Sequence, residues 1–281
     1  VMNMILDPLL VLGIGPCPRL EVAGAAIATV TAQFIVMAVM IAGVFQKKNQ
    51  DNVLRHVHLF SIQDRTIYHS ICRIGGPTAL QGTLYCMISM VLTRMVSAFG
   101  PGAIATQRVG GQIESISWNT ADGFATALNS FVAQNYGAGK YKRMKQSVTT
   151  CLFLDFIATL LVTAVLLLTG KYLLQLFTTD PEVIEIGLEI IHLIVPSYVL
   201  FVFIEILSST LRGMGNVLIP MIMTCCGVCI LRILWIFLVV PHWPGVSSIL
   251  LCYPISWGLT TILFILYYYK EQKKFFRTHQ E

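Results

Sequence analysis

Eight long apolar runs, one after another, constrain this chain more than any other feature: Met2 to Gly15, Val22 to Phe45, Pro77 to Phe99, Ala103 to Val132, Val148 to Thr169, Ile190 to Leu211, Leu218 to Val240 and Ser248 to Tyr269. Most reach the roughly 20 residues that cross a bilayer's hydrocarbon core. A segment in lipid must satisfy its own backbone N–H and C=O groups, which leaves helices or a closed barrel. Because the runs are continuous and not alternating, they predict an all-α polytopic membrane protein with about eight transmembrane helices. Composition agrees: 56% of residues are apolar and 12% charged, against roughly 45–50% and about 25% in soluble domains. The first run stops at fourteen residues and reads as a cut helix. It starts mid-pattern at Val1, with no basic leader or small-residue cleavage site, so the parent protein is expected to begin upstream.

The net charge of +5 does not point to nucleic acid, because the bases are sorted by connection. Lys47, Lys48, Arg55, Arg65 and Arg73 fall in the second, Lys140, Lys142, Arg143 and Lys145 in the fourth, and Arg212 in the sixth; Lys270, Lys273, Lys274 and Arg277 lie in the tail. The alternate connections hold Arg19 and Lys171. This is the positive-inside asymmetry; it places the C-terminus in the cytoplasm, and the plasma (inner) membrane is the location expected. The eight cysteines lie mostly inside runs, where a thiol packs as a small apolar group, and Cys226-x-x-Cys229 lacks the second pair a zinc site needs. His56, His58 and His69 read as solvated.

Polar groups inside apolar runs mark ion or substrate paths, since each is costly there. Asn3 and Asp7 stand one turn apart on one helix face. The next run is dense in small residues, so Thr29 can come near another backbone or an ion, or simply bond back to its own helix. Glu114, Trp118 and Asp122 follow at steps of four, and two acids with an indole suit an organic cation. Tyr198, Phe201, Glu205, Ser208 and Arg212 form a stripe that adds Tyr198 and Glu205 as cavity candidates. Pro196 is expected to kink that helix. Gln134-Asn-Tyr-Gly-Ala-Gly-Lys140 superficially suggests a phosphate loop but lacks its first glycine, and reads as a helix stop.

The chain divides into residues 1–45, two helices ending one bundle; 46–74, a polar linker with a helical tendency along the membrane face; and 75–281, a six-helix bundle with a basic tail. The first and last helix pairs can be overlaid through their proline-bracketed turns. With Pro16 on Pro241, Asp7 falls on Arg232. Repeated halves are a recurrent transporter plan.

Asn3-Met-Ile-Leu-Asp7-Pro8, Gly24-Ala-Ala-Ile-Ala-Thr29, Arg108 to Ser115, Gln134 to Lys140 and Leu211-Arg-Gly-Met-Gly215, in this order, resemble the multidrug and toxic compound extrusion (MATE) transporters. The resemblance implies twelve helices in two six-helix lobes, with this chain supplying helices five to twelve. It implies a secondary active efflux transporter that exports drug-like or cationic organic compounds in exchange for sodium ions or protons by alternating access. Asn3 and Asp7 match the helix-five pair of the family's N-lobe cation site, and Thr29 matches its helix-six threonine; the helix-one aspartate has no counterpart here. No acid lies on helix seven, so coupling is expected through the N-lobe, with protonation or metallation of Asp7 removing a buried charge and Pro8 providing the flexure.

The partners this implies are a small organic substrate and the lipid bilayer. No cofactor is expected beyond the coupling ion, no metal beyond sodium, no nucleic acid and no oligomer. The nearest rival is a lipid-linked oligosaccharide flippase, which needs several buried bases where this chain offers Arg94, Arg108 and Arg232. An inactive truncated fragment and a passive channel are the others. No paired-aspartate, HExxH or Ser/His arrangement lies in a run, so no enzymatic activity is expected.

Overall fold

The computed structural model describes residues 2–13, 18–45, 65–98, 100–177, 179–243 and 245–278. The described secondary structure is helical throughout, and the chain separates into two compact units, Val1–Arg65 and Thr66–Glu281.

The first unit is a helix pair, α1 (Met2–Val11) and α2 (Glu21–Phe45). The Leu20 amide donates to the Leu10 carbonyl at 2.9 Å. At Gly24 any Cβ would collide with that same carbonyl, so the two backbones approach as closely as glycine allows. Ala28, one turn further along α2, is fully buried. The remaining surface of α2, including Val30, Phe34, Met37 and Ile41, is exposed and apolar.

In the second unit α3 runs from Arg65 to Ser97, and so starts before the Gly75-Gly76-Pro77 opening that the sequence suggests. Residues 46–64 of the expected linker, with His56 and His58, lie outside the described residues, whereas Arg65 to Ile74 form the first turns of α3. Pro77 removes one ladder donor, and beside it the Thr78 hydroxyl donates to the Ile74 carbonyl at 3.1 Å. Next come α4 (Pro101–Gly137) and α5 (Tyr141–Phe177). Between them Gly139 at φ +68° turns the chain, and the amides of Gly139 and Lys140 donate to the carbonyls of Tyr136 and Asn135. The glycine-rich stretch is therefore a helix stop, with its N–H groups already used.

The helices α6 (Pro181–Ile194) and α7 (Tyr198–Gly213) are two arms of one span broken by a tight turn at Val195–Ser197. Pro196 has no N–H to give, and the Ser197 hydroxyl donates to the Ile194 carbonyl at 2.5 Å. The next span is α8 (Leu218–Thr224), a π-helical segment Cys225–Ile230 and α9 (Leu231–Leu238); α10 (Val246–Leu250) and α11 (Cys252–Thr278) close the unit. Helices α4, α5 and α7 pack around Leu128, Val132, Val148, Val202 and Ile206, and Trp257 and Phe264 of α11 anchor the main core.

Among the described residues six stretches are long and apolar enough to cross a membrane: Glu21–Gly43, Arg65–Ser97, Tyr141–Leu176, Val183–Gly213, Leu218–Leu238 and Val246–Lys273. The other two expected runs differ for separate reasons. Helix α1 has only ten residues. Helix α4 has 37, about 55 Å at 1.5 Å per residue, but it carries Gln107, Arg108, Gln112, Glu114, Asn119, Asp122 and Asn129 along its length.

Candidate functional site

A cavity of about 610 Å³ opens within the second unit, walled by Ser89 and Thr93 of α3, by α4 from Ile104 to Glu114, by the bend at Ile194 to Tyr198, and by Tyr253 of α11. Glu114 faces the Trp118 indole and the Tyr198 hydroxyl. Its Oε1 is shielded from solvent without a hydrogen-bond partner. Among the described residues no ion pair joins it to Arg108 or Arg94. Arg108, Gln107 and Gln112 share the wall, and the Gln107 amide reaches the Thr93 hydroxyl at 3.4 Å.

The five cavity candidates read from the sequence do not converge on one space. Glu114 and Tyr198 line this cavity. Trp118 packs into the aromatic core instead, its ring 4.2 Å from Phe201 and 6.4 Å from Trp257. Asp122 and Glu205 line a separate polar cavity of about 280 Å³ with Asn129, Ser209 and Arg212. There Arg212 gives both Nε and Nη2 to the Ser208 hydroxyl, at 3.1 and 2.7 Å, and the Ser209 hydroxyl donates to the Ala125 carbonyl at 2.5 Å. Helix geometry explains the division. At 3.6 residues per turn, two steps of four rotate Asp122 about 80° from Glu114 and carry it about 12 Å along the axis. Tyr198 and Glu205, seven apart, share a face but lie about 10 Å from each other along it.

In the first unit the Oδ1 atoms of Asn3 and Asp7 are both shielded from solvent and have no hydrogen-bond partner among the described residues. Thr29 is exposed, and its hydroxyl donates to the Ala25 carbonyl at 2.9 Å, the local back-bond its sequence context allowed.

Two groups carry more weight here than the sequence assigned them. Arg232 is 4% exposed; its Nε donates to the Ser256 hydroxyl at 3.1 Å, and its guanidinium lies 3.9 Å from the Tyr253 ring centroid and 5.6 Å from that of Trp257. The same indole meets Tyr198, Phe201 and Tyr253 at 5.9, 5.6 and 5.5 Å. Arg232 follows the π-helical segment, a register change that often accompanies functional sites, and its Nη2 is buried without a partner. Since Tyr253 lines the large cavity, Arg232 backs that wall. Its signal in the sequence is an arginine inside an apolar span. Asp155, fully buried on α5, accepts from the Thr159 hydroxyl at 3.4 Å; a carboxylate near a span end gives no comparable signal. Cys225, Cys229 and Cys252 are buried free thiols.

Residues 77–238 match the MatE family model. The chain belongs to the MatE family. Among MatE relatives it is 25% identical over 276 residues to "Probable multidrug resistance protein YoeA" of Bacillus subtilis, covering 98% of this chain and 59% of that protein. It is 29% identical over 279 residues to "FAD transporter" of Shewanella oneidensis, at 97% and 59% coverage. Solved structures share the fold: a MATE transporter in the bent conformation superposes with a TM-score of 0.82 at 20% identity, covering 100% of this chain and 61% of that one. A MOP superfamily transporter from Pyrococcus furiosus, described as having a binding pocket of reverse polarity, superposes at 0.83 with 21% identity and 96% and 60% coverage. The chain thus spans about three fifths of the length of the proteins it matches.

Proposed function

We propose that this chain is the greater part of a MatE-family exporter that moves drug-like or cationic organic compounds outward in exchange for sodium ions or protons by alternating access. In this reading residues 1–45 end one lobe, residues 75–281 form the other, and the segment between links them. The single observation that carries the substrate side is Glu114: a carboxylate on the wall of a 610 Å³ cavity, flanked by Tyr198 and Trp118, with one oxygen unsatisfied. A buried carboxylate beside aromatic rings recognises an organic cation by charge and by ring quadrupole together. Asn3 and Asp7 supply part of the coupling site, with Thr29 near them in sequence order; an ion or proton at Asp7 neutralises a charge that lipid and protein solvate poorly, and the helices around it settle into a second arrangement. Among the described residues Arg108 is the one base on the cavity wall, too few to cradle a lipid-linked diphosphate, which favours the exporter over the flippase.

The test joins the chain to its upstream coding segment and measures efflux of a fluorescent organic cation from cells under imposed sodium and proton gradients separately, with a flavin nucleotide as an anionic comparison because one relative is an FAD transporter. Efflux of the cation under one gradient is expected. Asp7→Asn is expected to abolish the response to that gradient, and Glu114→Gln to weaken cation binding about tenfold or more, equivalent to roughly 1.4 kcal/mol. Undiminished coupled efflux by Asp7→Asn, or export of the flavin alone, overturns the proposal.

A further inference from the structure

An apolar groove of about 390 Å³ runs between α4 and α5, walled by Leu128 and Phe131 on one side and by Ser147, Thr150 and Leu154 on the other, with Arg143 at one end. No carboxylate stands on its wall. At the mouth the Arg143 guanidinium lies 5.3 Å from the Phe131 ring centroid, which holds an otherwise exposed cation over the groove. Arg143 shares its turn with Lys140, Lys142 and Lys145. Four bases this close cannot sit in hydrocarbon, so this end of α5 marks the membrane–water boundary. From there α5 descends with Phe153, Leu154, Ile157, Leu160 and Leu161 exposed, an apolar face suited to lipid tails. The groove therefore starts at a cationic surface and leads into the apolar layer. Arg143 and Leu154 lie eleven residues apart, about 16 Å along the helix, a length comparable to most of an acyl chain.

We propose that this groove is a binding site for one anionic phospholipid, with an acyl chain laid between α4 and α5 and the headgroup phosphate held by Arg143. A free phosphate would leave the apolar wall uncovered, and a zwitterionic lipid would bring its own cation to a turn that already holds four. Gln146, also on the groove, supplies an amide donor beside the guanidinium. The site is independent of the transport reading: it rests on α4, α5 and the turn between them, and involves neither Asp7 nor Glu114.

The experiment is native mass spectrometry of the full 281-residue chain released from detergent after equilibration with equal amounts of phosphatidylglycerol and phosphatidylcholine. One phosphatidylglycerol is expected to stay bound in preference. Arg143→Gln is expected to lower its retention about fivefold, the scale of one basic contact at a membrane surface. Lys273→Gln, which removes a base from the C-terminal helix, is expected to leave retention unchanged. Thr150→Phe fills the groove and is expected to displace the lipid; should that variant not fold, the Arg143 and Lys273 pair decides alone. Equal retention of the two lipids, or equal losses in Arg143→Gln and Lys273→Gln, overturns the site in favour of diffuse charge attraction, and displacement of the lipid by millimolar inorganic phosphate overturns the acyl-chain component.

Discussion

Arg232 divides its guanidinium between a serine hydroxyl and an aromatic face, and its Nη2 finds no partner among the described residues. A charge so placed contributes less to stability than its contacts suggest, because desolvation opposes the Coulombic gain. Arg232→Met keeps the stem and removes the charge, and is expected to unfold within about 1.5 kcal/mol of the parent protein. Arg232→Ala empties the site and is expected to cost about 2–4 kcal/mol. Thermal unfolding in detergent checks both; a Met variant as damaged as the Ala variant would show that the charge itself, and not the packed stem, holds Tyr253 in place. Residues such as Arg232, Glu114 and Asp7 were legible in the sequence because a polar group in an apolar run stands out. Thr29 was not, since a threonine that bonds its own helix and one that meets an ion have the same neighbours in sequence. Asp155 ranks low from sequence because a carboxylate two turns inside a span end suggests water access, whereas here packing covers it completely.

At the scale of elements the helices follow their runs closely, and the departures have local causes. Pro196 breaks its span and Gly139 ends α4, both as the turn chemistry requires; Pro77 does not start α3 but lies about three turns inside it, where it removes a ladder donor without ending the helix. Glu114 and Asp122 open onto separate cavities, since a face counted in fours drifts from the true period. Where α4 meets α7, a Cβ on Gly213 would fall 2.9 Å from both the Asn129 carbonyl oxygen and a Val132 methyl. Gly213→Ala is therefore expected to destabilise by about 1–3 kcal/mol through overpacking. Gly110→Ala, on the same α4 but with no neighbour within 4 Å of its Cβ, is expected to be neutral or to stabilise by about 0.4–1 kcal/mol. Paired thermal melts distinguish them, and equal shifts would contradict the close approach.

Across the whole molecule the polar residues are unevenly shared. Five of the spans in the second unit are α3, α5, the α6–α7 pair, the span through α9 and the last, all apolar enough to enter lipid by composition. Helix α4, which carries Gln107, Arg108, Gln112 and Glu114 on the cavity wall, is not among them. The translocon partitions each segment by its own hydrophobicity as it emerges, and α4 emerges before α5 and α7, two helices it packs against. Its seat in the bilayer must then depend on the order of synthesis. In a glycosylation-mapping reporter α4 alone is expected to insert in a minority of chains, and α4 followed by α5 to α7 in most; efficient insertion of α4 alone would disprove this dependence. The helix that shapes the cavity is, on this view, held in the membrane by the partners synthesised after it.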